Sequence, residues 1–148
     1  MSKAFTKDTD DAPAAPRRAL GVPVPVPNFV TADGMRAARA ELDRLAKAGD
    51  HPDRARELTA HLETAQVAPP GEPGSVGFGA WVTVERDSGA RATYRLVGAI
   101  EADVRRGWLS WQSPVASALW HARVGDTVEL PRGEEVTVVE IRYGSRSP

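Results

Sequence analysis

The sequence predicts an α+β protein, a short antiparallel helical hairpin followed by an antiparallel β-sheet domain carrying one helix. Three observations lead there. Between residues 31 and 66, two apolar seams with the same three-four-three spacing flank a Gly-Asp-His-Pro turn. From residue 76 onward, short alternating apolar and polar runs are punctuated by Asp-Ser-Gly, Gly-Asp and Pro-Arg-Gly turns. Among those runs, Ser113-Pro114 pairs an N-cap residue with a proline at the first helical position. Strands, one helix, then strands again suit an antiparallel sheet with a helix on one face rather than a βαβ repeat.

Each element follows in order. Residues 1–28 read as a disordered Pro-rich tail. Asp8 to Asp11 is acidic and polar, and APAAPRRALGVPVPVPN alternates prolines that oppose both helix and ladder pairing. A Pro-rich docking peptide is the alternative use of that segment. Residues 29–67 read as a short antiparallel coiled coil. Thr31 is the expected N-cap, with Phe29 and Val30 available to pack on the first turn. Met35, Ala38, Leu42 and Leu45 form the first seam, which stops at Gly49. Pro52 opens the second helix, whose seam is Ala55, Leu58, Leu62 and Ala65. Each helix holds about two heptads, or ~20–25 Å at 1.5 Å per residue, so the hairpin needs support from the rest of the chain. Residues 68–75 are a Pro- and Gly-rich linker. Residues 76–148 form the β-rich domain: AWVTVE and ATYRLVGA around Asp87-Ser88-Gly89, then WLSW at 108–111, the helix after Ser113, DTVEL, and EVTVVEIRY as the longest strand.

Composition narrows the function. The 148 residues carry 19 Lys+Arg and 20 Asp+Glu, a net charge of -1. Residues 1–74 hold 10 basic and 11 acidic side chains, and the remainder 9 and 9, so neither half has the basic surplus of a dedicated nucleic-acid binder. The absence of cysteine excludes thiol chemistry, disulfides and Cys-ligated zinc. With three histidines, a His-based metal site is not expected, and His61 and His121 read as surface or half-buried helix residues. No apolar run approaches the ~20 residues of a membrane span, and no signal-peptide core is visible, so a soluble, cytoplasmic monomer is expected.

The segments VGFGAWVTV, YRLVGAIEAD, SPVASALWHARVGDTVEL and VVEIRY resemble the C-terminal domain of the GreA/GreB transcription elongation factor family. Tyr94, Leu96, Val97, Gly98, Glu101, Ala102, Asp103, Ser113, Pro114, Ala116, Ala118, Leu119, Val124, Gly125 and Asp126 fit its pattern in order. PNFVTADGMRAARAELDRL is similar to the start of the family's first helix, and ELTAHLETAQV to the end of its second. Between those points much of the family's long coiled coil is missing from both arms. In arm length the chain is similar to the regulator of nucleoside diphosphate kinase group.

The resemblance implies an FKBP-like C-terminal domain and a protein that binds RNA polymerase at its secondary channel. In the long-armed family, two acids at the arm tip help hold the catalytic Mg²⁺ and orient a water, so that the polymerase cleaves backtracked RNA. Asp50 and Asp53 stand at the matching spacing in Gly49-Asp50-His51-Pro52-Asp53, with Asp in place of Glu at 53. The same two residues also suit a bland role, as a helix cap and as a first-turn acid. Ten residues removed from a helical arm shorten it by ~15 Å, and catalytic geometry fails with errors near ~1 Å. A non-cleaving regulator without a cofactor of its own is therefore expected, with a Mg-assisted cleavage factor as the alternative. The polymerase contact implied by the resemblance is Ser113, Pro114 and Val115, flanked by Trp111, with Trp108 and Trp120 nearby as possible contact rings. A third reading is an FKBP-like prolyl isomerase or chaperone, the isomerase with a pocket built from Tyr94, Trp108 and Trp111. Gly98, Gly125 and Asp126 read as turn residues without direct partners.

Overall fold

A computed structural model describes residues 22–144. Strand β1 (Phe29–Val30) leads into helix α1 (Ala32–Ala48), helix α2 (Pro52–Thr64) and strand β2 (Gln66–Val67). The body comprises β3 (Trp81–Arg86), β4 (Arg91–Val97), β5 (Trp108–Ser110), helix α3 (Pro114–Leu119), β6 (Thr127–Glu129) and β7 (Glu135–Arg142). Short 3₁₀ turns at Ala99–Glu101, Val104–Arg106 and Pro131–Gly133 join them.

The helical pair starts and stops where local chemistry places its ends. Thr31 is the N-cap of α1, its hydroxyl accepting the Gly34 N–H at 2.9 Å. Gly49 ends α1 in the left-handed region, φ 69°, and its N–H reaches the Leu45 carbonyl at 2.9 Å. Pro52 occupies the first turn of α2. Leu58 is fully buried between the helices, clustered with Val30, Ala38 and Ile100, and Met35, Leu42, Leu45, Leu62 and Ala65 pack around them. Ile100 comes from the body, which supplies the support that so short a hairpin needs. Arg54 ties the two helices together, with a two-pronged bond to Glu41 at 2.9 Å and another to Glu57 at 2.9 Å. Those carboxylates, Glu41 above all, raise its pKa and hold it charged.

The body sheet runs in the order β5-β4-β3-β7-β6. Val82, Val84, Leu96, Val136 and Val138 project from it onto Ala116 and Leu119 of α3, forming the core. The sheet is antiparallel except at one edge, where β5 pairs parallel with β4 in the register Arg95↔Trp108 and Leu96↔Leu109. A wholly antiparallel sheet is the sequence expectation. The 3₁₀ turns between β4 and β5 carry the chain back along β4 before the edge strand forms, so β5 runs in the same direction as β4.

Two segments that composition assigns to tail and linker are fastened down. Residues 1–21 of the expected tail lie outside the described residues. Residues 22–28 instead run as a strap along α2. His61 Nε2 lies 3.0 Å from the Val22 carbonyl, and the Val22 N–H reaches Glu57 at 3.2 Å. Asn28, 2% exposed, donates to the His61 carbonyl at 2.7 Å and to the Thr64 hydroxyl at 3.0 Å. His61 is thus a buried structural residue rather than a surface one. Beyond β2, which pairs parallel with β1, the Gly71 N–H bonds to the Phe78 carbonyl at 3.1 Å and the Tyr143 hydroxyl donates to the Ser75 carbonyl at 2.6 Å.

Candidate docking surface and arm tip

The arm tip is the turn between α1 and α2. Asp50 is exposed there, and His51, at φ 52°, is the N-cap of α2 with no side-chain capping bond. Asp50 is therefore not the cap that its position suggests. Asp53, also exposed, lies in the first turn of α2, where a carboxylate suits the helix dipole, and pairs with Arg56 one turn on. Among the described residues, no group of three or more acidic or histidine side chains is arranged to hold a metal ion. Two exposed carboxylates fall short of the six oxygens that Mg²⁺ takes, so an ion met at this tip would be held mainly by other ligands.

The second candidate surface is the chain from β5 into α3. Ser113 caps α3, its hydroxyl 3.3 Å from the Ala116 N–H, and its own N–H bonds to the Ser110 carbonyl at 2.8 Å. Pro114 stands exposed at the first helical position, while Val115 leans on the body core. Trp111 is half-buried just before them. Its ring centroid lies 5.5 Å from Phe29 and 6.3 Å from Trp120. These rings border a largely apolar cavity of about 510 Å³, completed by Phe78, Pro69 and His121. On the other side of the same segment, Ser110 and Gln112 border an apolar groove of about 570 Å³ with Val22, Pro25 and Val104. Residues 110–112 thus border both hollows, and Ser113 and Pro114 follow them in the chain without lining either.

The sequence-predicted residues separate into groups. Trp111, Ser113, Pro114 and Val115 are close in the chain but face differently: Trp111 lies beside Trp120, Pro114 is exposed and Val115 packs on the core. Trp108 belongs elsewhere, in a row across three strands with Trp81 and Arg95 on the sheet face opposite the core. The Arg95 guanidinium lies 4.9 Å from the Trp81 ring and 5.2 Å from Trp108, and Arg106 covers Trp108 at 3.9 Å. Trp108 and Trp111 line different cavities, and Tyr94 packs on the body core. The three rings of the isomerase reading therefore do not share a pocket. Phe29 is the contact ring that pattern reasoning missed. Its position just before the N-cap reads as a local staple, whereas the ring packs on Trp111 and Phe78.

Gly98 is also more than a turn residue. A Cβ there would lie 2.3 Å from the Phe29 carbonyl oxygen, so its missing side chain lets the arm base approach the body. Gly125, at φ 96°, and Asp126, whose carboxylate accepts the Arg123 N–H at 2.9 Å, do form a local turn. Among the described residues no helix is long and apolar enough to cross a membrane.

Comparison with known proteins identifies the family. Residues 71–143 match the family model described as transcription elongation factor, GreA/GreB, C-term. The chain is 44% identical over 97 residues to transcription elongation factor GreA of Alkalilimnicola ehrlichii, covering 61% of each chain. It is 36% identical over 131 residues to GreA of Verminephrobacter eiseniae, covering 79% of this chain and 83% of that one. Against other relatives it spans less, 56% of the length of transcription elongation factor GreB of Yersinia pestis, for example. The solved GreA/GreB factor of Nitrosomonas europaea is similar at 26% identity and a TM-score of 0.45, with 78% of this chain and 98% of that one covered. The chain belongs to the GreA/GreB family of transcription elongation factors.

Proposed function

We propose that this chain binds RNA polymerase and regulates transcription elongation at the secondary channel without efficiently stimulating transcript cleavage. Docking runs through Trp111, Ser113, Pro114 and Val115, and the helical arm projects from the docked body toward the channel. The observation that carries this reading is the arm itself. Its helices of 17 and 13 residues are ~25 Å and ~20 Å long. Such an arm occupies a channel entrance but presents its tip well short of where a longer arm of the same design would. At the tip, the exposed Asp53 pairs with the exposed Arg56 one turn on.

A backtracked elongation complex tests the proposal. Adding the full chain is expected to alter elongation or block access of a long-armed cleavage factor, with little RNA released. Asp50→Ala is expected to behave like the unmodified chain. Robust cleavage that disappears in Asp50→Ala would replace this reading with that of an active cleavage factor.

A further inference from the structure

The arm meets the body over the first turn of α1, and the two contacts there are opposite in polarity. Glu101, 8% exposed, is a carboxylate from the body with three donors around it. Its Oε2 accepts the Thr31 N–H and the Gly98 N–H, both at 2.9 Å, and its Oε1 accepts the Thr31 hydroxyl at 2.5 Å. That hydroxyl also caps α1 by accepting the Gly34 N–H, so one side chain ends the arm helix and fastens it to the body. Two residues on, Asp33 lies 3.5 Å from the buried Arg95 guanidinium, itself held between Trp81 and Trp108. The apolar seat of Val30, Ala38 and Leu58 on Ile100 holds the arm base to the body, and these two polar contacts add direction to it. A carboxylate gripping residue 31 and a guanidinium facing residue 33 together oppose rotation about either point.

Sterics close the seat. A Cβ on Gly34 would stand 2.1 Å from Glu101 Cδ, and one on Gly98 would stand 2.3 Å from the Phe29 carbonyl oxygen. The carboxylate reaches Thr31 only because position 34 has no side chain.

We infer that Glu101, assisted by Arg95, is the positioning residue of the arm, a two-point socket that sets the direction of the helical hairpin relative to the docking body. Neither side chain needs to touch a partner to do this. The consequence for polymerase rests on the docking reading above, because an arm held at one angle is delivered in one direction once the body docks. The socket itself belongs to the free protein and is measured there.

The chain has no cysteine, so Asp50→Cys at the tip and Asp87→Cys on the body hairpin take two spin labels cleanly. The unmodified socket is expected to give one narrow distance distribution. Glu101→Gln keeps it narrow, since an amide oxygen accepts both N–H groups and the amide NH₂ donates to the Thr31 hydroxyl. Glu101→Ala is expected to broaden or shift the distribution. Gly34→Ala does the same by pushing the carboxylate out of its seat, and it decides the matter if Glu101→Ala does not fold, because alanine favours the helix itself. A distribution as narrow in Gly34→Ala, or in folded Glu101→Ala, as in the unmodified chain overturns the inference. With polymerase present, both variants are expected to bind with unchanged affinity while crosslinks from residue 50 disperse. Failure of the unmodified chain to bind would remove the docking reading, with the distances still deciding the socket.

Discussion

Pro114 stands exposed at the first position of α3, where a backbone N–H has no intrahelical acceptor in any case. Replacing it with Asp costs the fold little. Losing the proline restraint on the unfolded chain costs about 0.4–1 kcal/mol, and a carboxylate in the first helical turn returns about 0.3–1 kcal/mol. The melting temperature should therefore move by no more than about 4 °C. At the proposed docked interface the same substitution introduces a carboxylate into a contact that includes Trp111 and Val115. An unpaired polar group left in such a place costs about 1–3 kcal/mol, equivalent to about 5- to 150-fold in affinity. Equilibrium binding of Pro114→Asp to core RNA polymerase, read beside its thermal melt, measures the two effects separately. Pro131→Asp is the matched control, because Pro131 is exposed at the start of a different turn and is expected to bind like the unmodified chain. Unchanged affinity in a folded Pro114→Asp protein would refute docking through this segment.

Two further outcomes test the packing. Deleting residues 1–21 leaves the Val22 contacts in place, whereas deleting residues 1–25 strips the acceptor from His61 and one of the two donors from Glu57, leaving Arg54. The longer deletion is expected to cost about 1–3 kcal/mol relative to the shorter one, read as a lower melting temperature, and equal melts would show that the strap contributes nothing. Burial pushes the Tyr143 phenol above its ordinary value near 10. Because the folded state holds that proton more tightly, the associated stability is complete below about pH 10 and is lost as pH rises through the raised value. The ultraviolet titration difference between the unmodified chain and Tyr143→Phe should therefore have its midpoint above 10, and a midpoint at or below it would contradict the burial argument.

Both helix starts and the arm turn were legible because their causes are local. A hydroxyl three residues from the N–H it caps, a glycine taking positive φ, and a proline at a position that needs no donor all act within one turn of chain. The seams at Met35–Leu45 and Ala55–Ala65 were legible for the same reason, since helical periodicity fixes which side chains share a face. The family likeness was carried by short motifs, and the start of α3 at Ser113-Pro114 was legible from its capping chemistry.

What the linear pattern withheld are contacts between residues far apart in sequence. Glu101 reads as one acid in a motif until Thr31, 70 positions away, is brought to it. Gly98 reads as a turn until the Phe29 backbone is seen pressed against it. Arg95 reads as a charged strand residue until parallel pairing with β5 places Trp108 beside it, and turn signals do not specify strand direction. Proline content excludes helix and ladder from residues 22–28 but says nothing about a strap lying on α2. Local propensity therefore determined the two arm helices and the start of α3, while the parallel pairing of Phe29–Val30 with Gln66–Val67 at the ends of the expected coiled coil depended on tertiary contact. The angle of the arm, the packing of its base and the hollows beside residues 110–112 were decided only when tertiary contacts filled the space between elements, because packing depends on distances the chain does not encode one residue at a time.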